Sequence, residues 1–202
     1  MQSTINQSRT GAGRLAPEAV ARLVQRAAAG DQNSWDALVE EFGGMIWAVA
    51  RAHRLSHTDA ADVSQATWLR LLEHLTDLND PARVGAWLAT TARRECLRVL
   101  RGSDRQIPCQ DDFFERLATT TQPDSSLLMA ERDAWLWRGF ERLKSSDRAL
   151  LRLLMADPRP PYSEISAALD MPIGSIGPTR ARALERLRDE LDREGTLELL
   201  IA

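Results

Sequence analysis

Three things are scarce in this chain of 202 residues, and each scarcity narrows what the protein can be. It has two cysteines, Cys96 and Cys109, which are too few for a disulfide framework and are not spaced as a metal-binding pair. No stretch approaches the roughly 20 apolar residues that cross a bilayer, and the polar N-terminus lacks the apolar run of a signal peptide. Lysine occurs once, at Lys144, so arginine supplies nearly all of the positive charge. The cysteine count and the lack of a signal-peptide run together favour a protein of the reducing cytoplasm.

The charge is distributed in blocks of alternating sign. A net charge of −3 excludes a general polycation, so any binding of nucleic acid must depend on local patches. Residues 31–78 carry eight acids and three arginines, 79–106 carry six arginines and three acids, and 107–133 carry six acids and two arginines. We therefore expect each block to face a different partner.

The basic block contains a predicted helix with two distinct sides. Apolar residues recur at spacings of four, four and three on one side, and arginines at four, three and four on nearly the opposite side. Taken alone, the arginine side fits a solvated surface and a phosphate-binding surface equally well. The two stripes are Leu88, Ala92, Cys96 and Val99, and Arg94, Arg98, Arg101 and Arg105.

Helical periodicity extends over most of the chain. The exceptions are residues 1–14, which are polar and predicted to be disordered, and 107–127, an acidic segment rich in Ser and Thr that is predicted to be a linker. His53 and His57 have the spacing of a helical metal pair. No third ligand has a suitable spacing, so they are predicted to be surface histidines, and no metal site is expected.

Two motifs in register carry a resemblance to a known family. The first is DVSQ at 62–65 followed by WLRL at 68–71, and the second is AWLATTARR at 86–94. They resemble the D-V-x-Q-E-x-F-x-R-L and x-W-L-x-x-I-A-R-N signatures of bacterial sigma-70 family RNA polymerase sigma factors. More narrowly, they resemble region 2 of the extracytoplasmic-function (ECF) group. The departures from the family pattern are Ala66 for Glu, Trp68 for Phe, Thr91 for Ile and Arg94 for Asn.

The C-terminal part resembles region 4 of the same family, a helix-turn-helix. Asp170 occupies the usual turn glycine, and Gly-Pro-Thr replaces the family's polar triplet. Ser175 is expected to cap the second helix, which would place Pro178 in its first turn, where a missing N–H does no harm. The matching elements are YSEI at 162–165, GSI at 174–176, RA at 182–183 and LR at 187–188.

The resemblance implies an all-α protein with two small helical domains, a region 2 bundle and a region 4 helix-turn-helix, joined by a flexible acidic linker. It also implies no enzymatic activity, no cofactor and a cytoplasmic location, with nucleoid association in the holoenzyme. The linker either tethers the domains or occupies the channel for nascent RNA. The expected divisions are 1–14 disordered, 15–106 region 2, 107–127 linker, 128–194 region 4 and 195–202 a C-terminal tail.

The partners implied are core RNA polymerase, through its β′ coiled coil and β flap, promoter DNA, and in some members an anti-sigma factor. Trp87 lies close to the loop expected to contact the −10 element but is expected to pack in the core, and Arg186 is expected to pair with Glu190 four positions later. Carried over residue by residue, the expected polymerase contacts are Asp62, Gln65, Trp68 and Leu72. The expected −10 contacts are Asn79, Arg83, Arg93, Arg94, Arg98 and Arg101. The expected −35 contacts are Ser175, Thr179, Arg180 and Arg182.

Three other classes of protein share parts of this pattern. A helix-turn-helix regulator with a receiver or ligand domain would show α/β alternation in residues 1–130, which the sequence lacks. A terpene-synthase-like enzyme is suggested by DDFFE at 111–115, but the chain is short for that fold and has no second metal motif. The third class is an interaction protein that keeps the sigma fold but does not read promoters. It is supported by Gly177-Pro178, which stand where the family has polar residues.

Overall fold

The computed structural model describes residues 14–102 and 126–193, which form eight α-helices and a short 3-10 helix. The all-α prediction is confirmed, since these two ranges contain no strand. Nearly all of the expected linker, the N-terminus before Arg14 and the C-terminal tail lie outside the described residues. The elements are α1 (Pro17–Ala28), α2 (Gln32–Ala52), α3 (His57–His74), the 3-10 helix (Pro81–Arg83), α4 (Val84–Gly102), α5 (Ser126–Arg142), α6 (Ser145–Met155), α7 (Tyr162–Leu169) and α8 (Ile173–Arg193).

Local chemistry explains where the helices around the candidate site begin. Ser56 caps α3, because its hydroxyl oxygen accepts the backbone N–H of Asp59 at 3.0 Å. Asp80 caps the 3-10 helix in the same way, accepting the N–H of Ala82 at 3.2 Å. Pro81 then supplies a first residue that needs no N–H partner. Asp80 and Pro81 thus fix where the 3-10 helix begins, immediately before the basic helix.

Helices α1 to α4 bury one continuous apolar interior. The apolar stripe predicted on α4 is confirmed, because Leu88, Ala92 and Cys96 are fully buried and Val99 is partly buried. Burial raises the pKa of the Cys96 thiol to about 12, because a thiolate would lose its hydration there. Each large apolar side chain buried in this way stabilises the fold by about 1.5–3 kcal/mol. The largest such side chains from α2 to α4 are Leu38, Met45, Ile46, Leu71 and Leu88.

Two of the C-terminal helices, α6 and α7, contribute to the same interior. Helix α6 packs on α2, and α7 packs on α4. Their buried side chains Leu150, Leu153, Ile165 and Ala168 belong to the same apolar cluster as those of α2 and α4. The two expected sigma regions thus share a core, and their boundaries stay a prediction.

A second, smaller apolar cluster fixes α8 to the helices before it. Phe140, Leu143, Leu151 and Ala183 form its buried part. Helix α5 approaches α8 closely at Gly139, where a Cβ atom would lie 2.9 Å from Leu191 Cδ2. A larger residue at Gly139 would require the Leu191 side chain to shift, so this glycine allows α5 and α8 to pack closely.

None of the helices in residues 14–102 and 126–193 combines the length and apolar character needed to cross a membrane.

Candidate functional site

The outer side of α3 presents a polar and apolar surface to solvent. Asp62, Gln65 and Leu72 are all exposed, and Leu72 keeps 59% of its surface accessible. Leu69, which the sequence reasoning did not single out, is 55% exposed beside them. The spacings of three, four and three from Asp62 through Gln65 and Leu69 to Leu72 place all four on one side of the helix. That spacing was the signal that could have identified Leu69.

Trp68 differs from its three companions in the expected polymerase-contact set. It is half-buried, and its ring meets the ring of Trp35 on α2 edge to face, with the centroids 5.9 Å apart. Such a pair is worth about 0.5–1.5 kcal/mol beyond the burial of its area. Trp68 therefore stabilises the contact of α3 with α2 from the edge of the exposed surface.

A pocket opens where the segment after α3 meets the first turns of α4. Its volume is about 400 Å³. It brings together Asn79, Arg83 and Arg94, three of the side chains expected to contact the −10 element. The other lining residues are Asp77, Leu78, Asp80, Ala86, Trp87, Thr90 and Thr91.

Trp87 packs against the core, as expected, and it also forms a wall of this pocket. One side of its ring packs against the buried cluster, and the residue remains partly exposed on the pocket side. The His74 ring meets the Trp87 ring edge to face, with the centroids 6.2 Å apart. Trp87 lies in the first turns of α4, directly after the polar segment. Its indole therefore lines the same pocket as the guanidinium groups of Arg83 and Arg94.

The exposed side of α4 carries three of the four arginines of the predicted stripe in a row. Arg94, Arg98 and Arg101 are exposed, while Arg105 lies outside the described residues. Arg98 Nε donates to Glu95 Oε2 at 2.7 Å, and Arg70 Nε of α3 lies 3.8 Å from Glu95 Oε1. Glu95 therefore ties the start of this arginine row to α3.

Arg93 does not join the pocket. Its Nη2 donates to Asp170 Oδ2 at 2.9 Å, and Asp170 lies in the turn between α7 and α8. In this arrangement Arg93 faces the helix-turn-helix, apart from the other expected contacts to the −10 element.

The helix-turn-helix consists of α7, the turn at 170–172 and α8. Asp170 adopts the left-handed conformation, with φ 55°, which fits its position at the usual turn glycine. Thr179 Oγ1 accepts a hydrogen bond from Arg182 Nη2 at 3.1 Å, and Arg180 is exposed. These side chains lie along the N-terminal half of α8, where a recognition helix carries its base-reading residues.

Two expectations about the start of α8 are wrong, and they have one cause. The helix begins at Ile173, two residues before Ser175, so Ser175 lies inside it and its hydroxyl donates to the carbonyl oxygen of Pro172 at 2.7 Å. Pro178 consequently lies in the second turn, not the first. Because proline has no N–H, the carbonyl of Gly174 loses its usual partner four residues later.

Arg186 also differs from the sequence-based expectation. Its Nη1 donates to Asp147 Oδ2 of α6 at 2.6 Å, and the Asp147 side chain is almost fully buried. The expected pairing with Glu190 on the same helix is therefore replaced by a contact between helices. Glu190 instead accepts from Arg193 at 2.6 Å.

The two histidines at metal-pair spacing have different surroundings. His53 is partly buried, and burial lowers the pKa of its imidazole, so the prediction of a surface histidine is wrong for this residue. His57 is exposed, which confirms the prediction for this residue, and its ring meets the ring of Trp47 edge to face with the centroids 4.9 Å apart. Within residues 14–102 and 126–193, no group of three His, Cys, Asp or Glu side chains is placed to hold a metal ion.

The fold and these surfaces together define an all-helical protein with an exposed helical surface, a polar pocket with an aromatic wall, and a helix-turn-helix. Residues 38–106 match the family model of sigma-70 region 2. The chain is 31% identical to the ECF RNA polymerase sigma factor RpoE of Cereibacter sphaeroides over 137 residues, which are 65% of this chain and 70% of that protein. It is 24% identical to the ECF RNA polymerase sigma-E factor of Escherichia coli K12 over 178 residues, 84% of this chain and 92% of that protein.

Among solved structures, that of CnrH in complex with the cytosolic domain of CnrY is similar in fold, with a TM-score of 0.59 and 23% identity. The similarity covers 87% of this chain and 98% of CnrH. The chain belongs to the ECF family of RNA polymerase sigma factors. Members of this family direct transcription initiation and act as transcription regulators rather than as catalysts.

Proposed function

We propose that this sigma factor directs initiation through three separate surfaces of the described chain. The exposed side of α3 binds core RNA polymerase at the β′ coiled coil, the pocket before α4 holds a base of the −10 element, and α8 reads the −35 element. The observation that carries the proposal is the pocket, because it gathers Asn79, Arg83 and Arg94 around the ring of Trp87.

The pocket has the chemistry needed to hold an unstacked base. Extruding a base from a duplex costs a few kcal/mol, and the extruded base then needs stacking and polar partners. An indole face supplies stacking worth about 1–3 kcal/mol per base, and guanidinium and amide groups supply hydrogen bonds. Its volume of about 400 Å³ is large enough for a nucleobase. Trapping one base in this way would favour local opening of the −10 element.

The arginine row beside the pocket supports a positioning role. Beyond Arg94, which lines the pocket, Arg98 and Arg101 continue one exposed line along α4, which matches a strand of phosphates better than a set of base edges. These contacts would place the duplex without reading its sequence. Discrimination among sequences would come from the pocket.

Ser175, Thr179, Arg180 and Arg182 are the proposed −35 contacts. Arg180 and Arg182 are exposed on α8, while the Ser175 hydroxyl is already bonded to Pro172. We therefore assign most of the direct readout to Arg180 and Arg182, with Thr179 orienting the Arg182 guanidinium. The β flap is proposed as the second polymerase contact of this region.

The chain's place of action is proposed to be the cytoplasm, on the nucleoid when it is part of the holoenzyme. An anti-sigma factor is a further proposed partner, because the similar CnrH chain was solved with a bound polypeptide, the cytosolic domain of CnrY.

Transcription in vitro tests the proposal directly. Purified chain is mixed with sigma-free bacterial core polymerase and fragmented host DNA, and the 5′ ends of the RNA are sequenced. Discrete starts that share a −10 and −35 pair would support the proposal. Scattered ends identical to those made by core polymerase alone would contradict it.

The pocket makes a sharper prediction at a promoter found in this way. We expect Trp87→Ala to reduce the fraction of opened promoter by about 5- to 100-fold, from the loss of stacking. Permanganate reactivity of unpaired −10 thymines measures this opening. Arg101→Ala is the matched control on the same helix. It is expected to weaken binding uniformly and to reduce its salt dependence, while leaving the opened fraction of bound promoter unchanged. Equal opening by Trp87→Ala and the parent chain would refute the pocket assignment.

A further inference from the structure

Two parts of the chain line the pocket before α4, and they supply different chemistry. Trp87, Thr90 and Arg94 belong to α4, and their spacings of three and four place them on one side of the helix. The other part is the polar segment 77–83, which brings Asp77 and Asp80 to the pocket. A ligand in the pocket therefore meets an aromatic ring and a guanidinium from the helix, and carboxylates from the segment.

The charges that line the pocket balance. Two arginines, Arg83 and Arg94, face two aspartates, Asp77 and Asp80. A phosphate would be attracted by the guanidinium groups but repelled by the carboxylates, so the pocket lacks the excess of positive charge that favours an anion. A neutral ligand that carries both hydrogen-bond donors and acceptors matches it better. A nucleobase is such a ligand.

One arginine and one aspartate of the pocket are already engaged with each other. Asp80 Oδ1 accepts the backbone N–H of Ala82 at 3.2 Å, and Asp80 Oδ2 lies 3.5 Å from Arg83 Nε. Both oxygens of this carboxylate thus have partners within the segment. Asp80 and Arg83 are therefore less available to a ligand than the other two charged groups.

Arg94 and Asp77 are the charged groups that stay available. Within residues 14–102 and 126–193, the Arg94 side chain makes no hydrogen bond or ion pair. Asp77 Oδ1 accepts from Thr76 Oγ1 at 3.3 Å, and its carboxylate has no other partner in the same two ranges. Both side chains are exposed. The fold thus leaves one set of donors and one set of acceptors free in the pocket.

The geometry of these two groups selects among the four bases. A guanidinium presents parallel N–H donors that fit two neighbouring acceptors, and a carboxylate fits two neighbouring donors. Guanine offers both, with O6 and N7 as acceptors and N1–H and N2–H₂ as donors. Adenine and thymine have no pair of neighbouring acceptors. Cytosine has such a pair, O2 and N3, but only one donor group. Guanine alone satisfies both side chains with two hydrogen bonds each.

We infer that the pocket is specific for an unpaired guanine of the −10 element. Arg94 binds O6 and N7, Asp77 binds N1–H and N2–H₂, and Trp87 stacks on the ring. Asp77 is a determinant of specificity that the expected −10 contacts did not include. The inference rests on the proposed function of the pocket and names the base that it takes. Each bidentate contact discriminates against a wrong base by about 5- to 150-fold.

Binding of single-stranded DNA to the holoenzyme tests the preference for guanine. The full chain is combined with sigma-free bacterial core polymerase. The probes are fluorescein-labelled oligothymidylates in which one central nucleotide is guanine, adenine, cytosine or thymine, and fluorescence anisotropy gives their affinities. The guanine probe is expected to bind about 5- to 150-fold more tightly than each of the other three.

Two guanine analogues test the two contacts separately. The base 7-deazaguanine lacks N7, and hypoxanthine lacks the 2-amino group, so each is expected to bind the parent holoenzyme at least about 5-fold more weakly than guanine. Arg94→Ala is expected to bind 7-deazaguanine and guanine equally, and Asp77→Ala to bind hypoxanthine and guanine equally. Arg101→Ala and Glu73→Ala remove the same charges at exposed positions outside the pocket, and both are expected to keep the parent's response to the analogues.

The outcomes separate the choice of base from the proposed function. Equal affinity for all four bases, or a preference for another base, would overturn the assignment of guanine. The pocket would still stand in that case if Trp87→Ala weakened binding of every probe. A preference for guanine that responds to both analogues in Arg94→Ala and Asp77→Ala would show that guanine is bound elsewhere. If no probe binds the holoenzyme more tightly than it binds core polymerase alone, the pocket and the assignment fail together.

Discussion

Leu72→Asp is expected to lower the affinity of the chain for core RNA polymerase by about 10- to 100-fold while leaving its own stability unchanged. Leu72 is 59% exposed on α3, so aspartate remains hydrated in the free chain. In a complex through this surface the new carboxylate would be buried without a partner, which costs several kcal/mol before any relaxation. Apolar side chains at the centre of an interface are the positions where one substitution has such an effect.

Binding of labelled chain to core polymerase, followed by fluorescence anisotropy, measures the change. Leu136→Asp is the control, because Leu136 is 41% exposed but lies on α5, away from the proposed polymerase surface. The prediction fails if both variants lose the same affinity, or if Leu72→Asp binds as tightly as the parent. Leu69→Asp should behave like Leu72→Asp, since the two leucines are neighbours on one side of α3.

Leu150→Ala is expected to lower the free energy of unfolding by about 2–5 kcal/mol, the usual range for a leucine truncated in a packed interior. Leu150 is 1% exposed, and it lies in the cluster that joins α6 to α2 and α4. Removing it leaves a cavity between the two halves of the chain. Urea unfolding followed by circular dichroism gives the free energy.

The number of transitions in that unfolding curve tests whether the two halves of the chain unfold together. One shared core predicts a single transition for the parent chain and a single, shifted transition for Leu150→Ala. Leu184→Ala, at a position 43% exposed on α8, is the control and is expected to change stability by less than about 1 kcal/mol. Two separate transitions, of which Leu150→Ala shifts one alone, would show that the halves unfold independently.

Periodicity and motif spacing predicted those features of this protein that depend on neighbours in sequence. The stripe from Leu88 to Cys96 is buried, the helix-turn-helix lies at the expected residues apart from the start of α8, and Asp170 has the left-handed turn conformation. These features arise within one helix or one turn, where the residues three or four positions apart decide the outcome.

The features that were missed depend on contacts between distant segments. Glu164 lies 150 residues from Arg14 along the chain, and no spacing in the sequence indicates that their side chains meet. Arg186 likewise pairs with Asp147 of α6 and not with Glu190 on its own helix, and no spacing in the sequence indicates this contact. Trp87 packs against the core as expected, but its place in the wall of a pocket depends on the position of the segment before α4.

The error at Pro178 was of a different kind. It followed from placing the start of α8 two residues too late, since helix boundaries are the least certain part of any reading from sequence. The shift places a proline within the helix instead of at its start.

The burial of Cys96 has a consequence for the chain under oxidative stress. Peroxides and disulfide reagents attack the thiolate, and a pKa of about 12 leaves on the order of one thiolate in 100,000 at pH 7. Cys96 is therefore chemically inert in the folded protein, although it lies in the centre of α4. Oxidants that modify accessible cysteines would leave this thiol, and with it the helix that carries the arginine row, unchanged.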